Sequence, residues 1–323
     1  MKMPATFSRP ALAATASALA FACVSSAAAE PREFPVDKIS EHVYVIHGPT
    51  EFPNKANAGF MNNPVIVETA DSLVVIDPGS GQPSGEIVLR AASSISKKPI
   101  SHVFNSHVHG DHWLGNDTIR KAYPNVEVHA HPKMIEEVKA GADTQWLGLM
   151  SRMTEGATDG TQAMIPTHAL SDQQTLMIGG LSFRAHLTEH AHTRTDAMIE
   201  IVEDRVIVLG DNGFNQRFGR MDDGSFRGTL KNCANMLGRD FAAYVPGHGP
   251  SGPAESALAP YCHFIERVYS AAGKAVETGR ADFEIKPELH AELTGFHSWP
   301  GYEEEFGRSI SLAILEAERA SFE

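Results

Sequence analysis

The sequence feature that most constrains the fold of this 323-residue chain is a cluster of metal-binding side chains directly after an apolar run. Residues 100–105 are rich in apolar side chains, and residues 107–112 read His-Val-His-Gly-Asp-His. Loops at strand ends are where rigid scaffolds usually carry binding and catalytic residues. Alternation along an extended segment points His107 and His109 to the same side, so both imidazoles can bind one metal ion. The pattern therefore predicts a strand that runs into a metal-binding loop.

The second half of this cluster turns away from the first. A turn at Gly110 directs Asp111 and His112 toward a neighbouring position, where they can bind another metal ion. The alternative, a polar loop that is merely rich in histidine, does not account for four ligand-type side chains at fixed offsets. The 16 histidines of the chain, against 27 lysines and arginines, also favour metal binding.

Short β-branched runs alternate with turns around the cluster, which is typical of strands. In the first half of the chain the predicted strands cover residues 42–46, 64–68, 72–76, 100–105 and 126–130. Ser84 is expected to cap a helix that runs toward Ile95, and further helices are expected over 113–122 and from Pro132. The order of strand, helix and strand indicates an α/β sandwich.

The second half of the chain has the same style, which indicates a second sheet. Its predicted strands cover residues 181–187, 197–202, 205–209 and 242–245. Helices predicted over 255–279 and 309–321 can cover the sheets. Between the halves, residues 142–167 are rich in glycine, threonine and methionine and predict a long loop or a partly helical insertion. This insertion is either a packed surface excursion or a lid over a substrate pocket.

The first 29 residues have the pattern of a secretory signal peptide. Two basic residues precede an apolar run over 11–24, and three alanines at 27–29 precede Glu30. We expect cleavage after Ala29 and a mature protein in the periplasm or outside the cell. A membrane anchor needs about 20 apolar residues, more than this run provides. A lipoprotein signal at Cys23 fits the preceding residues poorly.

The remaining 294 of the 323 residues are enough for one α/β domain with an appendage. We expect a domain over 30–250 and a helical extension over 251–323 that packs on it. Without the leader, 25 basic residues face 40 acidic ones, a formal charge of −15, which argues against nucleic acid and anionic membranes as partners. Cys233 and Cys262 are compatible with one disulfide, which spacing alone does not decide, and neither looks like a zinc ligand.

The string His107-x-His109-x-Asp111-His112 resembles the signature of the metallo-β-lactamase superfamily. The preceding segment 63–79, in which an aspartate follows a hydrophobic run, is similar to the first strands of that family. The resemblance implies an αββα sandwich with metal ions at one edge, and it implies three more ligands on loops after strands. In this sequence the matching residues are His192 in Ala-His-Thr, Asp211 after an apolar run, and His248 in Pro-Gly-His-Gly.

Each of these three positions also has a simpler interpretation. His186 and His190 lie close to His192 in sequence and could replace it or support it. The Asp-Asn-Gly string that begins at Asp211 would by itself predict an ordinary hairpin turn. The glycines on both sides of His248 would likewise predict a plain turn. Only their order after the first cluster makes them candidate ligands.

The resemblance implies two metal sites that share one carboxylate. The first zinc ligands are His107, His109 and His192, the second are Asp111, His112 and His248, and the bridging ligand is Asp211. Imidazole and carboxylate ligands without thiolate suit zinc, and manganese and iron stay open. Two zinc ions about 3.5–4 Å apart can share a hydroxide that attacks an acyl carbon. Asp111 would be the catalytic residue that orients this hydroxide.

The ligand set is similar to that of glyoxalase II, lactonase and organophosphate-hydrolase members of the superfamily. It departs from the classical zinc β-lactamases, because Asp211 stands where one class has cysteine and another has no bridging carboxylate. The leader, the first cluster and the segment 299–303 resemble exported hydrolases of sulfur-oxidation and quinoprotein relay gene clusters. We therefore expect an exported dinuclear zinc hydrolase of an ester, thioester or lactone. A metallo-β-lactamase, a mononuclear iron sulfur dioxygenase and a non-catalytic periplasmic zinc-binding protein are the alternatives.

Substrate contacts are less clearly marked in the sequence, and the oligomeric state is left open. A small-molecule substrate with an anionic or acyl group could meet Arg194, two residues after a candidate ligand. It could also meet Arg217 and Phe214, in the basic and aromatic segment after Asp211. The alternative for this segment is a solvated basic loop on an otherwise acidic protein.

Overall fold

The β-branched runs of the sequence form two sheets in the computed structural model, which describes residues 1–3 and 33–322. The predicted signal peptide therefore lies almost entirely outside the described residues. The first sheet has the order β1 to β7. Its strands are β1 (Val36–Lys38), β2 (Val43–Ile46), β3 (Val65–Glu68), β4 (Leu73–Ile76), β5 (Ile100–Phe104), β6 (Glu127–Ala130) and β7 (His168–Ala169). Strands β1 to β4 pair antiparallel, and β4 to β7 pair parallel.

The second sheet has the order β12, β11, β10, β9 and β8. Its strands are β8 (Thr175–Ile178), β9 (Leu181–Leu187), β10 (Ala197–Ile201), β11 (Val206–Phe214) and β12 (Ala243–His248). Strands β8 to β11 pair antiparallel, whereas β11 and β12 pair parallel. A parallel pair brings the C-terminal ends of both strands to the same edge, so Asp211 and His248 reach that edge together.

Ten α-helices lie among the described residues. They are α1 (Gln82–Ile95), α2 (Gly110–Trp113), α3 (Asn116–Ala122), α4 (Pro132–Glu137), α5 (Asp143–Met153), α6 (Phe226–Leu237), α7 (Ala254–Ala257), α8 (Ala259–Thr278), α9 (Asp282–Glu292) and α10 (Tyr302–Ala320). A π-helical turn (Val138–Ala142) joins α4 to α5, and a short 3₁₀ helix (Thr294–Phe296) precedes α10. No helix in the described part is both long and apolar enough to cross a bilayer.

Alternation along the strands explains the layers. In β3, Val65 and Val67 pack with side chains of the second sheet, while Ile66 packs with Val88 of α1 on the opposite face. The inner face of the second sheet meets the first sheet, and its outer face is covered by α6, α8 and α10. Because strand side chains alternate between faces, both sheets are buried on two sides. The architecture is the αββα sandwich expected from the sequence.

The C-terminal helices are joined to the second sheet by a shared apolar cluster. Residues of α8 and α10 pack with Ile207 and Leu209 of β11. A disulfide between Cys233 and Cys262 links α6 to α8, which settles the question that spacing left open. Residues 33–323 form one unit, so a domain boundary near residue 250 stays a prediction.

Several local predictions differ from the structure. Gly81, not Ser84, is the residue that precedes α1; the Ser84 hydroxyl instead accepts a hydrogen bond from the Ser80 amide within the first turn. The helix predicted over 113–122 is divided at Gly115, where an added Cβ atom would lie 2.3 Å from the Pro78 carbonyl oxygen in the loop after β4. The last helix begins seven residues earlier than predicted, at Tyr302.

The insertion 142–167 is helical in its first part. Helix α5 packs on the loop of the histidine cluster, where its Met150 and Trp146 join an apolar group with Trp113 and Val108. The insertion is thus a packed element beside the cluster. Its opening as a lid stays a prediction.

Candidate metal centre

All the predicted ligands lie close together at one edge of the sandwich. The cluster 107–112 follows β5 and begins α2, His192 lies in the loop between β9 and β10, Asp211 lies on β11, and His248 ends β12. Their candidate ligand atoms form two adjacent groups. The parallel pairing of β11 with β12 is what sets the last two side by side.

The first group contains three histidines. The ring centroids of His107, His109 and His192 are 4.7–4.9 Å apart. His192 Nε2 lies 3.0 Å from His109 Nδ1. Together with Asp211, these side chains offer ligand atoms that all lie within 4.8 Å of one another. This spacing is suited to a single metal ion held by nitrogen and oxygen ligands.

The second group contains one carboxylate and two histidines. Asp111 Oδ2 lies 3.2 Å from His248 Nε2 and 3.4 Å from His112 Nε2. The three side chains are buried, and their ligand atoms also lie within 4.8 Å of one another. Because α2 begins at Gly110, Asp111 and His112 leave the direction of the preceding strand, as the sequence predicted.

Asp211 lies between the two groups. Its Oδ1 is 3.1 Å from His112 Nε2 and 3.3 Å from His248 Nε2. Its Oδ2 is 3.4 Å from His192 Nε2 and 3.9 Å from His107 Nε2. One oxygen therefore faces each group, which is the arrangement of a carboxylate that bridges two metal ions.

A buried carboxylate behind the centre fixes two of the histidines. Asp77 has a left-handed backbone conformation, with φ of 54°, and accepts hydrogen bonds from the Ser106 amide (2.8 Å) and hydroxyl (2.6 Å). His112 Nδ1 lies 2.9 Å from Asp77 Oδ2, and His107 Nδ1 lies 2.9 Å from Ser106 Oγ. These contacts leave Nε2 of both histidines for a metal, as outer partners of metal ligands generally do.

Two further histidines have their outer nitrogens occupied. His109 Nε2 lies 3.1 Å from Asp223 Oδ2, which leaves Nδ1 facing the first group. His248 Nδ1 lies 2.9 Å from the Met61 carbonyl oxygen and 2.7 Å from Arg217 Nη1, and its Nε2 faces the second group. The contact with Asp223 sets the tautomer of His109.

Burial and neighbouring charges act in opposite directions on the pKa values of several side chains in the centre. Burial raises the pKa of Asp111 and of Asp211, but the neighbouring histidines outweigh it and hold both well below their usual value. Burial alone would lower the pKa of His112. The negative charges of Asp211, Asp111 and Asp77 have the larger effect and raise this pKa well above 6.5. Burial lowers the pKa of His192 to about 3. The carboxylates are therefore ionised and call for positive charge among them.

Unpaired polar atoms test whether these residues fit a metal. Within residues 33–322, His107 Nε2, His112 Nε2 and Asp211 Oδ1 are buried and make no hydrogen bond of good geometry, although His112 Nε2 and Asp211 Oδ1 are 3.1 Å apart. Buried polar atoms normally have a hydrogen-bond partner, so buried polar atoms without one need an explanation. All three point into the space between the two groups, so metal coordination would satisfy them together. The residues present fit a pair of metal ions.

A glycine makes room for the bridging carboxylate. A Cβ atom at Gly247 would lie 2.0 Å from Asp211 Oδ1 and 2.8 Å from a backbone carbon of β11. Any larger residue would push the carboxylate away from the histidines. The Pro-Gly-His-Gly string is therefore more than a plain turn, because its first glycine lets β12 approach Asp211.

The candidate substrate residues have different positions. Phe214 is buried and stacks on His248, with ring centroids 5.6 Å apart and nearly parallel planes. Arg217 is also buried, with Nη1 2.7 Å from His248 Nδ1 and its guanidinium over the Phe52 ring. Arg194 is exposed. The segment after Asp211 is thus partly packed into the centre and is not a solvated basic loop throughout.

The two alternatives to His192 do not reach the centre. His186 Nε2 lies 2.7 Å from Glu200 Oε2, and His190 Nε2 lies 2.9 Å from the Asp223 carbonyl oxygen. The hairpin turn that the Asp-Asn-Gly string would by itself predict does not form, since β11 continues to Phe214.

Sequence reasoning missed several supporting residues. Asp77 was noted only as the aspartate that follows a hydrophobic run, and the contacts of Asp77 and Asp223 with the ligand histidines depend on segments that are distant in sequence. Trp146 of α5 lies beside His109, with ring centroids 4.9 Å apart. Trp146 is the one aromatic residue in the sequence of the insertion 142–167, and this was the available signal for the contact.

Comparison with known proteins agrees with this geometry. Residues 58–248 match the family model described as the metallo-beta-lactamase superfamily. An atrochrysone carboxyl ACP thioesterase from Emericella nidulans is 27% identical over 195 residues, which are 60% of this chain. The chain spans about half the length of this curated relative, 53% of it.

Two solved structures share the fold. A metallo-beta-lactamase from Pontibacter korlensis has a TM-score of 0.55 at 18% identity, and the match covers 69% of this chain and 94% of that one. VMB-1 also has a TM-score of 0.55, at 16% identity, over 72% of this chain and 96% of that one. With the family model covering more than half of the sequence, the chain belongs to the metallo-β-lactamase superfamily.

Proposed function

We propose that this protein is an exported metal-dependent hydrolase that uses two zinc ions to cleave an ester, thioester or lactone bond. The observation that carries the proposal is the position of Asp211, with one carboxylate oxygen facing each of two ligand groups. A centre for one metal ion would not need a second buried group of Asp111, His112 and His248.

The donor set supports zinc. Five imidazoles and two carboxylates with no thiolate suit a borderline metal such as zinc. When bound, zinc lowers the pKa of a coordinated water toward about 7 and polarises a substrate oxygen. The neutral imidazoles that such binding needs are favoured by burial, which lowers the pKa of His107 and His192.

The chain's own residues supply the orientation. Asp111 is ionised at neutral pH and lies within 3.2–3.4 Å of two imidazoles, so it can hold and orient the attacking water. Asp77 fixes the ring direction of His112 from behind. Phe214 and Trp146 give the centre apolar walls against the ligand histidines. We assign to Arg194, which is exposed and follows His192 by two residues, the role of meeting an anionic group of the substrate.

An acyl bond is the favoured target. The curated relative is a thioesterase, and its match covers more than half of this chain. An aspartate at position 211, where one class of zinc β-lactamases has cysteine and another has no bridging carboxylate, also favours acyl hydrolysis over β-lactam hydrolysis.

Export is supported by two independent features. Residues 1–29 have the pattern of a secretory signal. The disulfide between Cys233 and Cys262 is typical of oxidising compartments such as the periplasm. Fractionation of the native host tests the proposal, since mature protein that remains in the cytoplasm would contradict it.

The activity is tested with a substrate panel. The zinc-loaded protein is titrated with an acyl thioester, a lactone, an aryl ester, a phosphotriester and a chromogenic β-lactam. We expect the thioester or the lactone to be hydrolysed fastest, with activity abolished by chelation and restored by zinc. Dominant β-lactam turnover would contradict the proposed bond, and no turnover of any substrate would contradict the proposed activity.

Two variants separate catalysis from folding. Asp111→Asn keeps the shape of the side chain and removes its charge, so we expect turnover to fall by about 100-fold or more. Asp240→Asn is the matched control, because the Asp240 side chain is 95% exposed and forms a surface ion pair with Arg205. Equal loss of turnover in both variants would exclude a specific role for Asp111.

A further inference from the structure

A separate histidine cluster lies on the first sheet, before the strand ends that carry the metal centre. Parallel pairing sets His102 of β5 opposite Glu127 of β6, and His129 of β6 opposite His168 of β7. Residues two apart on a strand point to the same face. The four side chains therefore share one face across three neighbouring strands.

The imidazoles converge on one carboxylate oxygen. Glu127 Oε2 lies 3.7 Å from His102 Nε2, 3.6 Å from His129 Nε2 and 3.7 Å from His168 Nε2. These spacings are too long for hydrogen bonds. They are close to the separation of roughly 3.3 Å between two ligands of one zinc ion, given bonds of about 2.0–2.1 Å at tetrahedral angles. The ligand atoms of His102, Glu127 and His129 all lie within 4.8 Å of one another.

An unpaired buried atom points into the same space. The His129 side chain is only 6% exposed, and its Nε2 has no hydrogen-bond partner within the described residues. The ring is held in place by Phe104, which stacks on it with a centroid distance of 5.0 Å. Burial lowers the pKa of His129 to about 3, so the ring is neutral and free to act as a ligand at Nε2. A buried nitrogen without a partner needs an explanation.

The outer nitrogens of the two flanking histidines are already occupied. The Ser101 hydroxyl lies 2.7 Å from His102 Nδ1, and the Thr167 hydroxyl lies 3.0 Å from His168 Nδ1. In each pair the hydroxyl belongs to the preceding residue, so the same local contact directs both rings. Such outer contacts fix the ring and the tautomer of metal-binding histidines. They leave Nε2 of each ring facing Glu127.

We propose that this face is a further binding site for a divalent transition-metal ion, with zinc as the ion tested, formed by His102, Glu127 and His129, with His168 beside Glu127 at its edge. Imidazole and carboxylate ligands match the nitrogen and oxygen preference of zinc, and they disfavour calcium and magnesium, which take oxygen ligands. Strand β7 has only two residues and follows the insertion 142–167. A bound metal ion would therefore link the end of the insertion, through β7, to strands β5 and β6 of the first sheet.

The proposal is tested by zinc content after equilibrium dialysis, measured by mass spectrometry on the full protein. We expect the double variant Glu127→Gln/His168→Ala to hold one zinc fewer per chain than the parent, with hydrolase activity retained. Both positions are about half exposed, so folding should be preserved. His129→Ala should lose the same zinc, and circular dichroism verifies its fold.

Two controls make the result specific. His263→Ala removes an exposed histidine of α8 and should leave the zinc content unchanged. His112→Ala weakens the other centre and should leave the zinc of the histidine cluster in place, so failure at one centre is distinguishable from failure at the other. Equal zinc content in the parent and in the double variant, or the same loss in His263→Ala, would overturn the proposal.

Discussion

Replacing Asp77 with asparagine tests how the centre is held in place. The carboxylate accepts two hydrogen bonds from Ser106 and faces His112 Nδ1 at 2.9 Å. In Asp77→Asn one oxygen can still accept from the Ser106 amide, but the new NH₂ group faces His112. That ring must then carry its proton on Nε2, the nitrogen that faces the second group, or leave its position.

The expected magnitude follows from the hydrogen bond between His112 and the Asp77 carboxylate. A hydrogen bond to a charged group contributes about 1.5–3 kcal/mol, and removal of an outer partner typically weakens metal binding by about 10- to 100-fold. We therefore expect Asp77→Asn to bind its weaker zinc about 10- to 100-fold less tightly in competition with a chromophoric chelator. Asp240→Asn at the surface should bind zinc as the parent does. Zinc affinity within twofold of the parent in Asp77→Asn would refute the reasoning.

Three other changes probe the bridge, the disulfide and the contact between the sheets. Gly247→Ala should displace the bridging carboxylate and lower turnover by about 100-fold. Gly273→Ala is the control and should keep the turnover of the parent, because a Cβ atom there meets no neighbour within 4 Å. Equal turnover in the two variants would contradict the close approach of β12 to Asp211. Alanine at both Cys233 and Cys262 opens a loop of 29 residues and should lower the free energy of unfolding by roughly 3.5 kcal/mol; an unchanged urea midpoint would contradict it. Burial alone would raise the pKa of Asp204, but hydrogen bonds from Ser40 and His42 have the larger effect, and the pKa is lowered. The ionised carboxylate therefore stabilises the fold above its unfolded pKa of 3.8. This stabilisation is lost as the pH falls. Asp204→Asn should therefore be less stable by about 1–3 kcal/mol at pH 7 and approach the parent as pH falls below 3.8; a constant difference in urea unfolding at both pH values would exclude this cause.

Much of the fold was predictable because the signals were local. The β-branched runs around Val65, Val74 and Val206 have the period and turns of strands, and the structure places strands there. Helix α6 was missed, because its basic residues suggested a loop and its buried face depends on α8 and α10. Strand β7 has two residues and no period, so only its pairing with β6 defines it.

The same distinction applies to the site. The cluster 107–112 carries its own spacing, which made the first ligands visible in the sequence. His192 and His248 were identified through resemblance to a family, because their neighbours alone indicate turns. Asp77 was missed as a partner of His112 because the two residues are 35 positions apart in sequence and are brought together by the parallel pairing of β4 and β5.

The central claim is that Asp211 joins two metal ions in one centre. Its most direct test is anomalous diffraction at the zinc edge from crystals grown with zinc. We predict one peak among His107, His109 and His192 and a second among Asp111, His112 and His248, with one oxygen of Asp211 toward each. A single peak in this centre, or two peaks with Asp211 turned away from either, would contradict the account.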